Sequence, residues 1–140
     1  MSTIQQTPAT GPVLLHKLLG VGLVIVAGAM IIARHSAGDS PQGSRMPAYV
    51  IAGVSAVMLG AALMLLKPLV PRRKTGQTVA AYWGDAAVVP KALLVWFILE
   101  GAGVTASISY FLGGGAYALV AIAAAVAAYW MNGPAVFENE

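Results

Sequence analysis

The chain has 140 residues, of which 59% are hydrophobic and only 9% are charged. Ordinary soluble domains carry about 25% charged residues, and a soluble fold of this length could not bury so much apolar surface. The composition therefore predicts a single transmembrane domain. The absence of cysteine excludes disulfides, iron–sulfur clusters and thiolate metal sites.

Four apolar segments follow one another along the chain. Residues 13–33 form the first, for which a secretory signal peptide is the alternative to a retained span. The second, 47–70, begins at a proline, which suits the first turn of a helix. The third covers 88–112, and the fourth, 116–131, is rich in alanine and short for a full span. These segments predict an all-α integral membrane fold of four transmembrane helices, arranged as two hairpins in an up-down bundle.

Small residues recur at helical spacing within two of these segments. In the second they are Ala52, Ala56 and Gly60, and in the third they include Gly101 and Ser109. Small side chains let transmembrane helices approach closely. We expect these residues to form helix-packing faces.

The cations are distributed unequally about the predicted spans. With four spans, one side receives Arg34 and Arg45 and the other receives the remaining six Lys and Arg residues. The positive-inside rule then places both termini in the cytoplasm. The localisation that we expect is the bacterial inner membrane.

Three of these cations are consecutive: Arg72, Arg73 and Lys74. They are candidates for contact with anionic lipid headgroups, each contributing about 1 kcal/mol near the surface. The plainer interpretation, which we prefer, is that they set the topology alone. No aromatic residues are interleaved with them as a base-stacking surface requires, so nucleic acid is not an expected partner.

Glu100 is an acid in the middle of the third segment. It lies roughly 14 Å along the helix from Lys91, near the midplane of a core about 30 Å thick. A carboxylate at that depth is costly unless it is protonated, hydrogen-bonded or turned towards protein or water. It is a candidate proton or ion carrier, with Thr105 as a neighbouring hydroxyl. The alternative, which we prefer, is a packing hydrogen bond, because no other span has a central ionisable residue.

His16 and His35 raise the question of a haem or pigment. They lie at opposite ends of one helix, about 28 Å apart, which excludes joint ligation within one chain. His16 alone, with Gly20 one turn away leaving room for a flat ring, is a candidate ligand for one pigment. A solvated interfacial histidine is the plainer interpretation.

No catalytic constellation is visible in the sequence. It contains no Ser-His-Asp set, no HExxH motif and no paired carboxylates, and the glycines at 101 and 103 lie inside a span rather than in a phosphate loop. We expect no enzyme activity, no metal site and no cofactor, with bound lipid the expected non-protein partner.

Two short motifs carry a resemblance to known proteins. Leu99-Glu100-Gly101 and Tyr110-Phe111-Leu112-Gly113 resemble a leucine-x-glutamate-glycine element and an aromatic-leucine-glycine turn of uncharacterised bacterial four-helix membrane proteins. More distantly, two hairpins with one mid-helix acid are similar to the proteolipid ring subunits of rotary ATPases. That second resemblance implies an ion-binding role for Glu100. The glycines at 113–115 depart from the short polar loop of those hairpins.

Three functional hypotheses follow from the sequence. The first is a non-catalytic accessory subunit that packs against other integral subunits of a larger membrane complex, for example an energy-transducing one. The second is an ion- or proton-translocating ring or channel subunit that uses Glu100. The third is a pigment- or haem-binding subunit that uses His16.

Overall fold

The computed structural model describes residues 10–38 and 45–139, and no strand occurs in these two ranges. The all-helical fold predicted from the sequence is therefore confirmed for this part of the chain. Six α-helices follow one another: α1 (Thr10–Ser36), α2 (Met46–Ala61), α3 (Val79–Trp83), α4 (Val88–Gly113), α5 (Ala116–Met131) and α6 (Pro134–Asn139).

Three helical segments are long and apolar enough to cross a membrane. They are α1 with 27 residues, α2 together with its continuation to Leu69, with 24 residues, and α4 with 26. The apolar helix α5 has 16 residues and is about 24 Å long, which is shorter than a hydrocarbon core of about 30 Å.

The helix α2 changes its winding before it ends. A π-helical turn covers Ala62–Leu66, and the amide of Lys67 accordingly donates to the carbonyl of Ala62, five residues back. A 3₁₀ turn over Lys67–Leu69 follows. Pro68 accounts for the change, since proline lacks an amide hydrogen and its ring clashes with the carbonyl four residues earlier in a regular α-helix.

The helix α4 is the centre of the bundle, with α1, α2 and α5 packed around it. Half of its most apolar stretch is buried, against 22% for α1 and 11% for α2. Although α1 and α2 are consecutive in the chain, each packs mainly on α4. Arg34 near the end of α1 lies against Gly114 just after α4, whereas Ala48 near the start of α2 lies against Gly113. Thus α1 runs parallel to α4 and α2 runs antiparallel to it.

Two serine hydroxyls join α2 to α4. Ser55 on α2 donates to the carbonyl of Ala102 at 2.7 Å, and Ser109 on α4 donates to the carbonyl of Ala48 at 2.7 Å. Both serines are buried. The packing role predicted for Ser109 therefore has a specific contact in the structure, a hydrogen bond between helices.

Replacing Ser109 with alanine should lower the free energy of unfolding by about 1 kcal/mol, because one buried interhelical hydrogen bond is lost. Ser107→Ala is the matched control: that hydroxyl is equally buried but donates to Gly103 within α4 itself. Unfolding by SDS in mixed micelles measures both. Equal losses in the two variants would contradict a linking role for Ser109.

The chain after α5 is folded back onto the bundle. The sequence Asn132-Gly133-Pro134 ends α5, and Pro134 then begins α6. Phe137 of α6 is 3% exposed, with its ring centroid 6.1 Å from that of Trp96. The periodicity of the sequence does not predict α6, since six residues are too few to establish a helical pattern.

Candidate functional site

An aromatic cluster closes one end of the bundle. It comprises His16, Trp83, Trp96, Tyr129, Trp130 and Phe137. The imidazole of His16 stacks on the ring of Tyr129 with centroids 4.5 Å apart. Trp96 and Trp130 pack on the same imidazole in edge-to-face geometry, with ring centroids 5.0 and 5.6 Å from that of His16. His16 is therefore buried, at 4% exposure, rather than solvated at the interface.

Four side-chain polar groups of the aromatic cluster are paired within the chain. The Nε2 of His16 lies 3.2 Å from the carbonyl oxygen of Tyr129, and the Tyr129 hydroxyl donates to the carbonyl of His16 at 2.7 Å. The indole of Trp96 donates to the carbonyl of Asn132 at 2.8 Å. Similarly, the indole of Trp83 donates to a carboxylate oxygen of Glu138 at 2.8 Å. These bonds tie α1, α4 and α5 together and join α3 to α6.

Gly20 makes this packing possible. A Cβ atom on Gly20 would lie 2.8 Å from a ring atom of Tyr129 and 2.9 Å from one of Trp130. The space that the sequence suggested for a pigment beside His16 is thus filled by the two aromatic residues of α5. With Nε2 engaged and both neighbouring rings in contact, the geometry does not favour a pigment or haem on His16.

Glu100 lies one turn after Trp96, on the side of α4 that faces α1. Its Oε1 is 3.8 Å from the position that a Cβ on Gly22 would occupy. The carboxyl group lies within electrostatic range of the Tyr129 phenol and is half-buried. Within the part of the chain that the structure describes, it has no hydrogen bond and no ion pair. The residues in ranges 10–38 and 45–139 leave the carboxyl without a hydrogen-bond or ion-pair partner.

The hydroxyl suggested by the sequence as a neighbour of Glu100 points elsewhere. Thr105 is five residues further along, which is about 140° around the helix, and its hydroxyl contacts the sulfur of Met58 on α2 at 3.9 Å. Gly101 faces the same methionine, whose methyl carbon is 2.7 Å from its Cβ position. Thr105 and Gly101 therefore belong to the interface between α2 and α4.

The small residues predicted as the packing face of α2 lie away from α4. Ala56 is exposed, Ala52 and Gly60 are partly exposed, and no atom lies within 4 Å of a Cβ position on Gly60. The face of α2 that meets α4 carries Ser55, which the sequence analysis did not single out. Within this monomer the predicted stripe lies on the outer surface of the bundle.

The basic residues Arg72, Arg73 and Lys74 lie in the connection between α2 and α3, at the same end as the aromatic cluster. Arg72 and Lys74 are exposed and Arg73 is partly exposed. Arg72 lines a cavity of about 150 Å³ together with Lys67 and Phe137. This end of the bundle therefore combines cations with indole and phenol rings.

Comparison with known proteins adds no relative: the chain matches no protein family, no curated protein and no solved structure. Among the described residues, no group of three or more His, Asp or Glu side chains is placed to hold a metal ion. The candidate site is thus the carboxyl of Glu100 between α1 and α4, one turn from the aromatic cluster.

Proposed function

We propose that this chain is a non-catalytic integral subunit of a larger membrane assembly, and that Glu100 is the polar group through which it binds a neighbouring transmembrane subunit. The observation that carries the proposal is the half-buried carboxyl without a partner in the described chain. An unpaired acid in hydrocarbon is costly, and a donor on an adjacent helix removes that cost.

The outer surface of the bundle supports insertion into a membrane. The most exposed large apolar side chains include Ile32, Val57, Met64 and Val120, at 68, 72, 79 and 68% exposure. The buried side chains on the α2–α4 interface include serines whose hydrogen bonds are satisfied. Large apolar groups outside and small or paired polar groups inside are what lipid as the solvent favours.

We extend the proposal to topology. The four apolar helices α1, α2, α4 and α5 span the membrane as two hairpins in an up-down bundle, with the shorter α5 completing the fourth span. Six of eight cations lie at the end that carries the aromatic cluster, so the positive-inside rule places that end and both termini in the cytoplasm of a bacterial inner membrane. There, Arg72, Arg73 and Lys74 lie at the level of anionic headgroups.

Native mass spectrometry after extraction in mild detergent tests the assembly. We expect the unmodified chain to remain associated with other integral subunits. The Glu100→Gln variant should retain part of this association, and the Glu100→Leu variant should lose it, because leucine cannot form a hydrogen bond. Glu138→Gln is the matched control, because that carboxylate accepts from Trp83 within the chain. A monodisperse monomer without partners in the unmodified protein would contradict the proposal.

Ion or proton translocation by Glu100 is the second candidate, and the partial exposure of the carboxyl opposite Gly22 favours it. In this case a hydrophobic carbodiimide should label Glu100, and Glu100→Gln should abolish transport while the assembly remains intact. The resemblance to proteolipid ring subunits implies the same carboxyl as the ion-binding group. Transport at the original rate in Glu100→Gln would eliminate this candidate and leave the assembly role untouched.

A further inference from the structure

A second polar site lies at the end of the bundle opposite the aromatic cluster. A cavity of about 350 Å³ opens there, lined by Arg34, His35, Gly38, Tyr110 and Gly114. We propose that this cavity, the Arg34 pocket, binds a phosphate-type oxyanion. The inference is independent of Glu100, which lies near the middle of α4.

The position of Arg34 depends on a glycine. The Nε and Nη2 atoms of Arg34 lie 2.8 and 3.1 Å from the place that a Cβ on Gly114 would occupy. Gly114 also has φ +59°, a left-handed conformation that favours glycine. Any other residue at this position would displace the guanidinium, so the turn after α4 holds the arginine at the pocket.

Among the described residues, the guanidinium of Arg34 has unused hydrogen-bonding capacity. No acidic side chain or hydrogen-bond acceptor in the described ranges pairs with Arg34. The carbonyl ends of α1 and α4 both lie nearby, and helix C-termini attract a cation, which accounts for its location. The described residues leave free the planar fork of N–H donors on Arg34, which suits bidentate binding of phosphate or carboxylate.

Two further groups complete a donor set. The Nδ1 of His35 lies 3.0 Å from the carbonyl oxygen of Ile31. Since a carbonyl only accepts, Nδ1 carries a hydrogen, and Nε2 becomes a second donor when the ring is the imidazolium cation. Tyr110 is 7% exposed, and its hydroxyl forms no hydrogen bond with the residues that the structure describes. A guanidinium, an imidazole and a phenol around one cavity suit an oxyanion better than a cation or an apolar ligand.

Two sources can supply a phosphate-type oxyanion to the Arg34 pocket: a phospholipid headgroup and a free inorganic anion. If the bundle spans a membrane as proposed above, the Arg34 pocket lies where α1 and α4 leave the hydrocarbon, at the depth of phospholipid phosphates. A free inorganic anion from the aqueous side presents the same oxygens. The lipid source rests on the proposed membrane insertion, whereas the soluble source does not.

The experiment compares the two sources on the full-length protein in detergent. Retention of phosphatidylglycerol against phosphatidylcholine with the same acyl chains is measured by native mass spectrometry, and inorganic phosphate is titrated by calorimetry. We expect Arg34→Gln to weaken binding about tenfold, the loss of one charge-assisted contact, and Tyr110→Phe to weaken it by a smaller factor. Loss confined to the lipid arm identifies a headgroup, and loss confined to the phosphate arm identifies a soluble anion.

Arg45→Gln is the matched control, since Arg45 lies at the start of α2, at the same end of the bundle, is exposed and does not line the cavity. It removes the same charge and should leave binding unchanged. Circular dichroism shows whether each variant folds. If Arg34→Gln fails to fold, Tyr110→Phe, which removes only one oxygen, provides the test. Equal effects of the Arg34 and Arg45 variants, or no binding of either ligand by the unmodified protein, would overturn the proposal.

Discussion

Replacing Trp96 with alanine should lower the free energy of unfolding by about 3–5 kcal/mol, because a large buried side chain is lost and a cavity remains. Trp96 is 1% exposed and lies against His16, Trp83 and Phe137. Its indole also donates to the carbonyl of Asn132. The measurement is SDS titration in mixed micelles, followed by loss of helical circular dichroism.

Phe97→Ala is the control for the Trp96 variant. Phe97 is the next residue of α4 but is 50% exposed, so its truncation leaves no closed cavity and should cost less than half as much. Trp96→Phe separates packing from hydrogen bonding, because it keeps an aromatic ring. It should lower the free energy of unfolding by about 1–3 kcal/mol, since the Asn132 carbonyl loses its donor and side-chain volume is lost. A loss in Trp96→Ala no larger than in Phe97→Ala would show that the aromatic cluster does not stabilise the bundle.

The aromatic cluster also bears on the proposed function. Trp96 lies one turn before Glu100 on α4, and Tyr129 stacks on His16 and lies within electrostatic range of the Glu100 carboxyl. The cluster therefore fixes how α1 and α5 lie beside the carboxyl. A variant of the aromatic cluster that keeps its helices should lose both the packing of α1 and α5 and the partner subunit. Glu100→Leu should lose the partner subunit alone.

The second large effect is expected for Gly113→Ala, which should destabilise the bundle by about 1–3 kcal/mol through overpacking. A Cβ on Gly113 would lie 2.5 Å from the Cβ of Ala48 and 2.7 Å from the hydroxyl of Tyr117. The Ala48 methyl cannot rotate away, so α2 must move as a whole. That movement stretches the hydrogen bond from Ser109 to the carbonyl of Ala48. Thermal unfolding in detergent measures the loss.

Gly60→Ala is the matched control for this steric prediction. Gly60 is a helical glycine with no atom within 4 Å of its Cβ position, so alanine there should be neutral or stabilise the helix by about 0.5–1 kcal/mol. Opposite signs at the two glycines are the expected result. Destabilisation at Gly60 equal to that at Gly113 would mean that the α2–α4 contact is not the cause.

The case of α2 illustrates the limit of the sequence. Two sets of small residues run along it: Ala52, Ala56 and Gly60 at intervals of four, and Ala48, Ser55 and Ala62 at intervals of seven. The spacing alone predicts the first set as a packing face. In the structure the three residues of the second set are buried, and Ala48 and Ser55 contact α4. Both spacings bring residues to one side of a helix, so neither excludes the other.

The sequence by itself determined the four apolar helices α1, α2, α4 and α5 and the apolar character of the fold. Long apolar runs bounded by glycine and proline predict helices locally, since chain composition and hydrogen bonding within each segment decide them. Tertiary structure alone decided which faces meet. It places His16 in an aromatic cluster, the Thr105 side chain of α4 against α2, Glu100 towards α1, and Arg34 against Gly114. The physical reason is that helices apolar on all sides have no polar stripe to mark the outward face, so close packing of small residues selects the partner.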